Sequence, residues 1–353
     1  MTIFGQHEEG TLLQFEHMRS QAKHAALMAD GHVGYVMPIG GVAAYANRVS
    51  VVGVGFDIAC GNAAIRTNLT LASFGDEPRA IHNTLTAFAD EIASTVSFGV
   101  GRKNTADDAP VGSRGLGHTI ASGFLALGQG EPWGARVPEK EMLFDLADPI
   151  GHDYWHLMNL AGDYAYAGRE WVARKVVSLL GGEELELVHN HHNFAWKEVH
   201  QGDEVIVIRK GATPAFPGQK GFVGGSMGDD AVIVQGLPTN KASEQVTALQ
   251  ESALFSTVHG AGLVMSRTRA AGKRHRRSGR QLSRGEVSPN MMKEWVKKKG
   301  VILRGGGVDE SPHVYRRLPD VLQAQRGTVE VLHVLRPLIA VMAGDNELDP
   351  YKD

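Results

Sequence analysis

The sequence predicts an α+β protein built as one compact unit around a central site. Three observations carry this. Segments of helical periodicity and β-branched, strand-like runs both occur along the 353 residues. No linker, internal repeat or low-complexity tract divides the chain. The side chains suited to chemistry are scattered from position 57 to position 259, so the fold has to bring them together.

The elements follow in order. Residues 12–28 carry apolar side chains at spacings of three and four, which predicts a helix. Residues 49–56 (VSVVGVGF) are β-branched and apolar and read as a buried strand, with 57–61 as the loop at its end. A helix is expected over 78–96 and a polar loop over 104–110. The clearest helix covers 148–180. Asp148 and Pro149 supply an N-cap and a first-turn proline, Tyr154, Leu157, Met158, Ala161 and Tyr164 keep helical spacing, and Gly181 with Gly182 ends it. Strands are expected at 185–189 and 204–209, and a glycine-rich turn at 222–228 leads into another at 231–235. Ser-Pro opens a helix over 288–299, and 328–342 alternates in part and reads as a strand.

Composition narrows the class. Hydrophobic residues make up 42% of the chain, enough for a sizeable core, and a net charge of -3 leaves any polyanion binding to a local patch. The 43 glycines gather in short runs suited to tight turns and close approach to a ligand. A single cysteine, Cys60, excludes a disulfide framework and fits a reducing compartment. There is no basic N-terminal region followed by an apolar run, and no apolar stretch of roughly 18 residues. A cytoplasmic protein is expected.

Four features point to chemistry. Asp57 and Cys60 lie three apart in FDIACG, and a carboxylate and a thiolate so spaced on a loop can turn toward one ion; the sulfur favours Zn²⁺, Mn²⁺ or Fe²⁺ over Ca²⁺ or Mg²⁺. Residues 189–193 (HNHHN) place three histidines in four positions at a strand end, of which His191 or His192 is expected to face a site. Loops at 209–213 (RKGAT) and 224–228 (GGSMG) suit phosphate contact, though each also reads as a plain turn. His259 in VHGAG is flanked by small residues that leave room for a phosphorus centre, and histidine can serve as the nucleophile in nucleotidyl transfer. Beyond it, residues 267–284 hold eight Lys or Arg without an aromatic, from Arg267 through Lys273, Arg274, Arg276 and Arg277 to Arg284, which suits RNA-backbone contact or a solvated loop.

These pieces together resemble the RtcB family, the tRNA-splicing RNA ligases that join a 3′-phosphate or 2′,3′-cyclic phosphate to a 5′-hydroxyl. The stretches that carry the resemblance are 30–41 (DGHVGYVMPIGG), 54–61 (VGFDIACG), 112–118 (GSRGLGH) and 192–198 (HNFAWKE), followed in family order by 209–215, 225–228, 258–267 and 309–312 (DESP). The resemblance implies one RtcB-like catalytic domain over 1–353, with mixed sheets packed by helices around a metal site. It implies two Mn²⁺ ions and GTP as co-substrate, with His259 attacking the α-phosphate to become a guanylyl-histidine. GMP then passes to the RNA 3′-phosphate, and the 5′-hydroxyl displaces it. By motif match Asp57, Cys60 and His192 are metal ligands, with Cys60 bridging the ions. His192, Asn193, Gly224, Gly225, Ser226, Met227, His259, Gly260, Ala261 and Gly262 line the guanylate pocket.

Departures from the family pattern are equally specific. No glycine-rich stretch ending in Asn-His lies between Gly101 and Gly112, and Pro110 stands where a ligating histidine precedes GSRG. A ligand-bearing segment is thus missing near 102–112. Leu263 replaces the arginine that follows HGAG, Ile208 a histidine before RKGAT, and Ala231 a nucleotide-contacting serine, while Ala343-Gly344 stands for the usual Lys-Gly end. Three ligands serve one metal better than two. A reduced member acting only on phosphate ends, and a homologue that binds RNA ends without joining them, therefore stand beside the ligase reading.

Overall fold

A five-stranded mixed sheet organises the molecule, its strands running in the order Thr2–Ile3, His24–His32, Ile39–Tyr45, Asp203–Lys210, Asn193–His200. The first pair is parallel and the rest are antiparallel. The computed structural model describes residues 2–98, 114–273 and 281–344. The expected polar loop at 104–110 and missing segment near 102–112 lie outside those residues.

Both faces of the sheet are covered. Ala25, Leu27, Ala43, Tyr45, Ile206 and Ile208 join one core, with Phe15, Phe124, Tyr154 and Met158 from the helices packed over it. Ala26, Met28, Val42, Ala44, Val205 and Val207 point the other way, into a second core with Val223, Val234, Leu254 and Val258. Successive residues therefore alternate between two apolar environments, and the hydrophobic pattern loses its period of two. This explains one correction. The helix expected over 12–28 is the helix Glu9–Arg19 followed by the strand His24–His32, whose buried run looked like its continuation.

The strand expected at 49–56 is a second correction. Only Arg48–Ser50 is extended, paired with Leu143–Asp145. Ser50 then caps a single helical turn, Val51–Val54, its Oγ accepting from the Gly53 N–H at 2.8 Å. All four residues of the turn are buried. The valines answer to burial, and the turn is closed locally by the serine cap. Gly55 follows at φ +89°, a conformation that leads the chain out toward Asp57 and that a β-carbon would strain.

Other elements match expectation closely. Helices span Pro78–Thr95, Pro149–Leu179 and Pro289–Lys299. The last is capped by Ser288 Oγ and ends at left-handed Gly300, while Asp148 caps the long helix by position alone, without a side-chain bond. Strands cover Glu184–His191, Asp203–Lys210 and Ala231–Gly236. The stretch 328–342 is two strands, Val329–Leu335 antiparallel to Ala231–Gly236 and Ile339–Val341 parallel to Ile302–Arg304, with Pro337 between them. Proline has no N–H for a ladder, so the chain changes partner there. The helix Arg114–Gly128 was not expected, because its glycines masked the periodicity of Ile120, Ala121, Phe124 and Leu125. Among the described residues no helix is long and apolar enough to cross a membrane.

Candidate active site

Five segments converge beside one end of the large sheet. The strand Glu184–His191 pairs with Gly61–Thr67, placing Gly61 opposite His191. The turn into Asn193–His200 is closed on the Asp57–Cys60 loop by two backbone bonds: His192 N–H donates to the Cys60 carbonyl at 2.8 Å, and Ala59 N–H to the Asn193 carbonyl at 2.7 Å. Within the loop, Cys60 N–H donates to the Asp57 carbonyl at 3.1 Å. From the opposite side the helix Arg114–Gly128 leans on the loop through Gly117, where a β-carbon would sit 2.7 Å from the Ile58 nitrogen. The Asp57–Cys60 loop and the sequence-distant His192 thus share one backbone unit.

His259 arrives on the strand Ser256–Val258, paired with Ala212–Pro214. Its ring lies 4.8 Å from that of His192, centroid to centroid. Gly224 and Gly260 form an isolated parallel bridge, and the His259 carbonyl accepts from Gly224 N–H at 3.3 Å and from Asn62 Nδ2 at 3.3 Å. Asn193 Oδ1 accepts from Gly211 N–H at 2.8 Å, so the turns at 193 and 211 are tied together next to the histidine. Gly262 takes φ +73° and passes so close to Asp30 that a β-carbon would lie 2.4 Å from its carbonyl oxygen.

Asp30 is the residue the sequence reading missed, although it opens the DGHVGY stretch. It is fully buried, and its Oδ2 lies 2.7 Å from His259 Nδ1. The contact is close but not aligned as a hydrogen bond, and Asp30 Oδ1 has no partner. The same Oδ2 accepts from the backbone N–H of His259 at 3.2 Å and of Gly260 at 3.4 Å. Burial pushes the imidazole pKa down, but the Asp30 carboxylate overcomes this and holds His259 above the ordinary histidine value. Nδ1 therefore faces the carboxylate, and a backbone hydrogen bond at Gly211 adds to the upward shift, on a side chain still 24% exposed.

The three histidines of the cluster divide. His189 and His191 both turn to Arg169, which donates from Nε to His189 Nε2 and from Nη2 to His191 Nδ1, each at 2.8 Å. Burial and then the Arg169 charge push His189 down to about 4 and His191 down to about 3, so both stay neutral. His192 is 8% exposed, and its Nδ1 is buried without a partner. Burial, then the charges of His259 and Arg169, hold it well below the usual histidine range. A neutral imidazole with an unsatisfied buried nitrogen is what a metal ligand needs. Burial first, and Asp57 second, push the Cys60 thiol far up, against a smaller pull from Arg169. The thiolate would therefore need a cation to form.

The donor set of carboxylate, thiol and imidazole fits one borderline-soft divalent cation with open positions. As placed, no three His, Cys, Asp or Glu side chains among the described residues converge into a metal cage. A second ion would need donors beyond these. Of the residues expected to line the guanylate pocket, Gly224 adjoins His259 and Gly260. Ser226 Oγ instead donates to Asp229 at 2.9 Å, and Met227 is buried with Met292, Val296 and Val301. Gly225 sits where a β-carbon would meet the Asp230 carbonyl at 2.1 Å. Of the basic stretch, Arg267 pairs with Glu310 at 2.6 Å and Arg269 with Glu286 at 2.5 Å, while residues 274–280 lie outside the described residues.

Comparison with known proteins decides the family. A family model described as tRNA-splicing ligase RtcB matches residues 11–110 and 110–343. The chain belongs to the RtcB family. The two matched segments meet at the position where the sequence departs from the family pattern, consistent with an internal deletion. RNA-splicing ligase RtcB of Escherichia coli K12 is 26% identical over 390 residues, covering 90% of each chain. tRNA-splicing ligase RtcB of Thermococcus kodakarensis is 24% identical over 444 residues, covering 90% of this chain and 87% of its own. The RtcB of Nanoarchaeum equitans, also a tRNA-splicing ligase by name, is 26% identical over 466 residues, covering 96% and 92%. All three alignments are longer than the 353 residues of this chain, so these RtcB relatives carry residues that it lacks.

Proposed function

We propose that this chain is an RNA ligase that joins a 3′-phosphate or 2′,3′-cyclic phosphate end to a 5′-hydroxyl end through a guanylyl-histidine at His259, in tRNA splicing or RNA repair. The observation that carries the reading is the Asp30–His259 contact at 2.7 Å, beside the buried His192. Asp30 holds the ring by Nδ1 and sustains its basicity, so Nε2 can attack the α-phosphorus of GTP. A P–N bond forms and the bond to pyrophosphate breaks. GMP then moves to the RNA 3′-phosphate, and the incoming 5′-hydroxyl displaces it.

Asp57, Cys60 and His192 would hold Mn²⁺, whose contribution when bound is to offset charge on the phosphoryl oxygens. His192, kept neutral by burial, offers its unpartnered nitrogen. Arg274, Arg276 and Arg277, with Lys273, are the candidate contacts to the RNA backbone.

One observation favours a second reading. The donors that would hold a second ion are absent from the motifs, which suits an enzyme that only opens cyclic phosphate ends. An assay with a 2′,3′-cyclic-phosphate RNA, a 5′-hydroxyl RNA, Mn²⁺ and GTP separates the two. A joined product that requires GTP supports the ligase. Conversion of the cyclic end to a monophosphate, without joining and without GTP, supports the hydrolase.

A further inference from the structure

The loop that presents Asp57 and Cys60 is held from behind by a residue the proposed reaction does not use. Ala59, between the two, has φ +62°, the left-handed region that alanine rarely adopts. Both its backbone polar atoms are committed. Its N–H donates to the Asn193 carbonyl at 2.7 Å, and its carbonyl accepts from Arg169 Nη1 at 2.6 Å.

Arg169 comes from the long helix Pro149–Leu179. Its other two nitrogens donate to His189 and His191, and its guanidinium lies 5.2 Å from the centroid of the Tyr166 ring. His191 Nδ1 also sits 3.0 Å from the Ala59 carbonyl. A planar fork anchored at four points is rigid, and the carbonyl it grips belongs to the strained residue. Two of the three clustered histidines are thus given over to holding Arg169, and the third is left for the site.

We propose that Arg169 is a positioning residue for the candidate cation site: it locks Ala59 in its left-handed conformation and so fixes the backbone that carries Asp57 and Cys60 against that of His192 and Asn193. This rests on the reading of those three as ligands. Groups that orient ligands without touching the ion typically alter metal affinity about 10- to 100-fold. A residue with a purely structural role would change stability and leave that affinity alone.

The test uses the full chain with Co²⁺ as the probe, because a thiolate–Co²⁺ charge-transfer band reports on Cys60 directly. The unsubstituted protein is expected to show a saturable band. Arg169→Met should weaken Co²⁺ about 10- to 100-fold while the band keeps its position at saturation. Arg169→Lys should fall almost as far, since an ammonium cannot grip three acceptors in one plane. Adding Ala59→Gly to either variant should recover about fivefold, the ratio that corresponds to the ~1 kcal/mol cost of a left-handed alanine. If Arg169→Met does not fold, by near-ultraviolet circular dichroism, Arg169→Lys with and without Ala59→Gly makes the same comparison. Folded variants that bind Co²⁺ as tightly as the unsubstituted protein, or that show no recovery with glycine, overturn the proposal. Absence of the band in the unsubstituted protein overturns the ligand reading on which it rests.

Discussion

Asp30 and His259 are 229 positions apart in sequence and 2.7 Å apart in the structure. One carboxylate oxygen faces the imidazole Nδ1 and also accepts from the backbone of the turn that carries it. Orientation of the ring and closure of the loop therefore depend on the same atom.

Asp30→Asn keeps an acceptor and removes the charge. Without the carboxylate, burial is opposed only by the backbone hydrogen bond at Gly211, and the pKa of His259 falls. Guanylylation at neutral pH is expected to drop by about 10²- to 10⁴-fold. The acid limb of the pH–rate profile should move to lower pH, because the nucleophile then loses its proton earlier. Rates across pH 5 to 8 check this; an unmoved limb would mean Asp30 does not set the histidine's basicity.

Gly262→Ala places a methyl 2.4 Å from the Asp30 carbonyl, at φ +73°. Overpacking and left-handed strain together should cost about 2–5 kcal/mol. Urea unfolding measures the loss, and guanylylation should fall with it as Asp30 is displaced from His259. A variant with an unchanged midpoint would contradict this packing.

Lys210 is buried, donates to the Val52 carbonyl at 2.9 Å, and is pushed down to about 8 by burial, against the attraction of Glu141. The unfolded lysine binds its proton up to a higher pH than the folded one, so stability rises as pH climbs from about 8 toward 10.5. The burial cost is fully present below pH 8 and amounts to about 3 kcal/mol. Lys210→Met should abolish this rise. Denaturant midpoints for both proteins at pH 7, 8, 9 and 10 decide it, and parallel curves would show that Lys210 stays charged.

For the basic stretch, replacing Lys273, Arg274, Arg276 and Arg277 with Ala should weaken binding to a 3′-phosphorylated RNA. The slope of log K against log salt should shrink by about 3, at roughly 0.7 per charge on a single strand. Arg267 and Arg269 are already neutralised by Glu310 and Glu286. Binding with an unchanged slope would return the stretch to a solvated loop.

Much of this was legible in the sequence where one physical signal dominated. The helix Pro149–Leu179 announced itself by Asp148, Pro149 and Gly181, and Pro289–Lys299 by Ser288 and Pro289. The strand His24–His32 was not legible, because both its faces are buried and nothing distinguishes its pattern from a buried helix. The turn Val51–Val54 was hidden by valines selected for burial, and its serine cap acts within four residues. His259 could be singled out from its small neighbours, and His192 from its cluster. Asp30 and Arg169 could not, since each acts through contacts with residues more than 15 positions away, which only the fold creates.

The central claim is that His259 becomes covalently guanylylated, and one measurement tests it most directly. The purified protein is incubated with Mn²⁺ and GTP labelled at the α-phosphate, then denatured and separated. Acid-labile label on the protein, absent from a folded His259→Ala variant, is the expected result. No label on folded protein in the presence of Mn²⁺, or label that persists in His259→Ala, would contradict it.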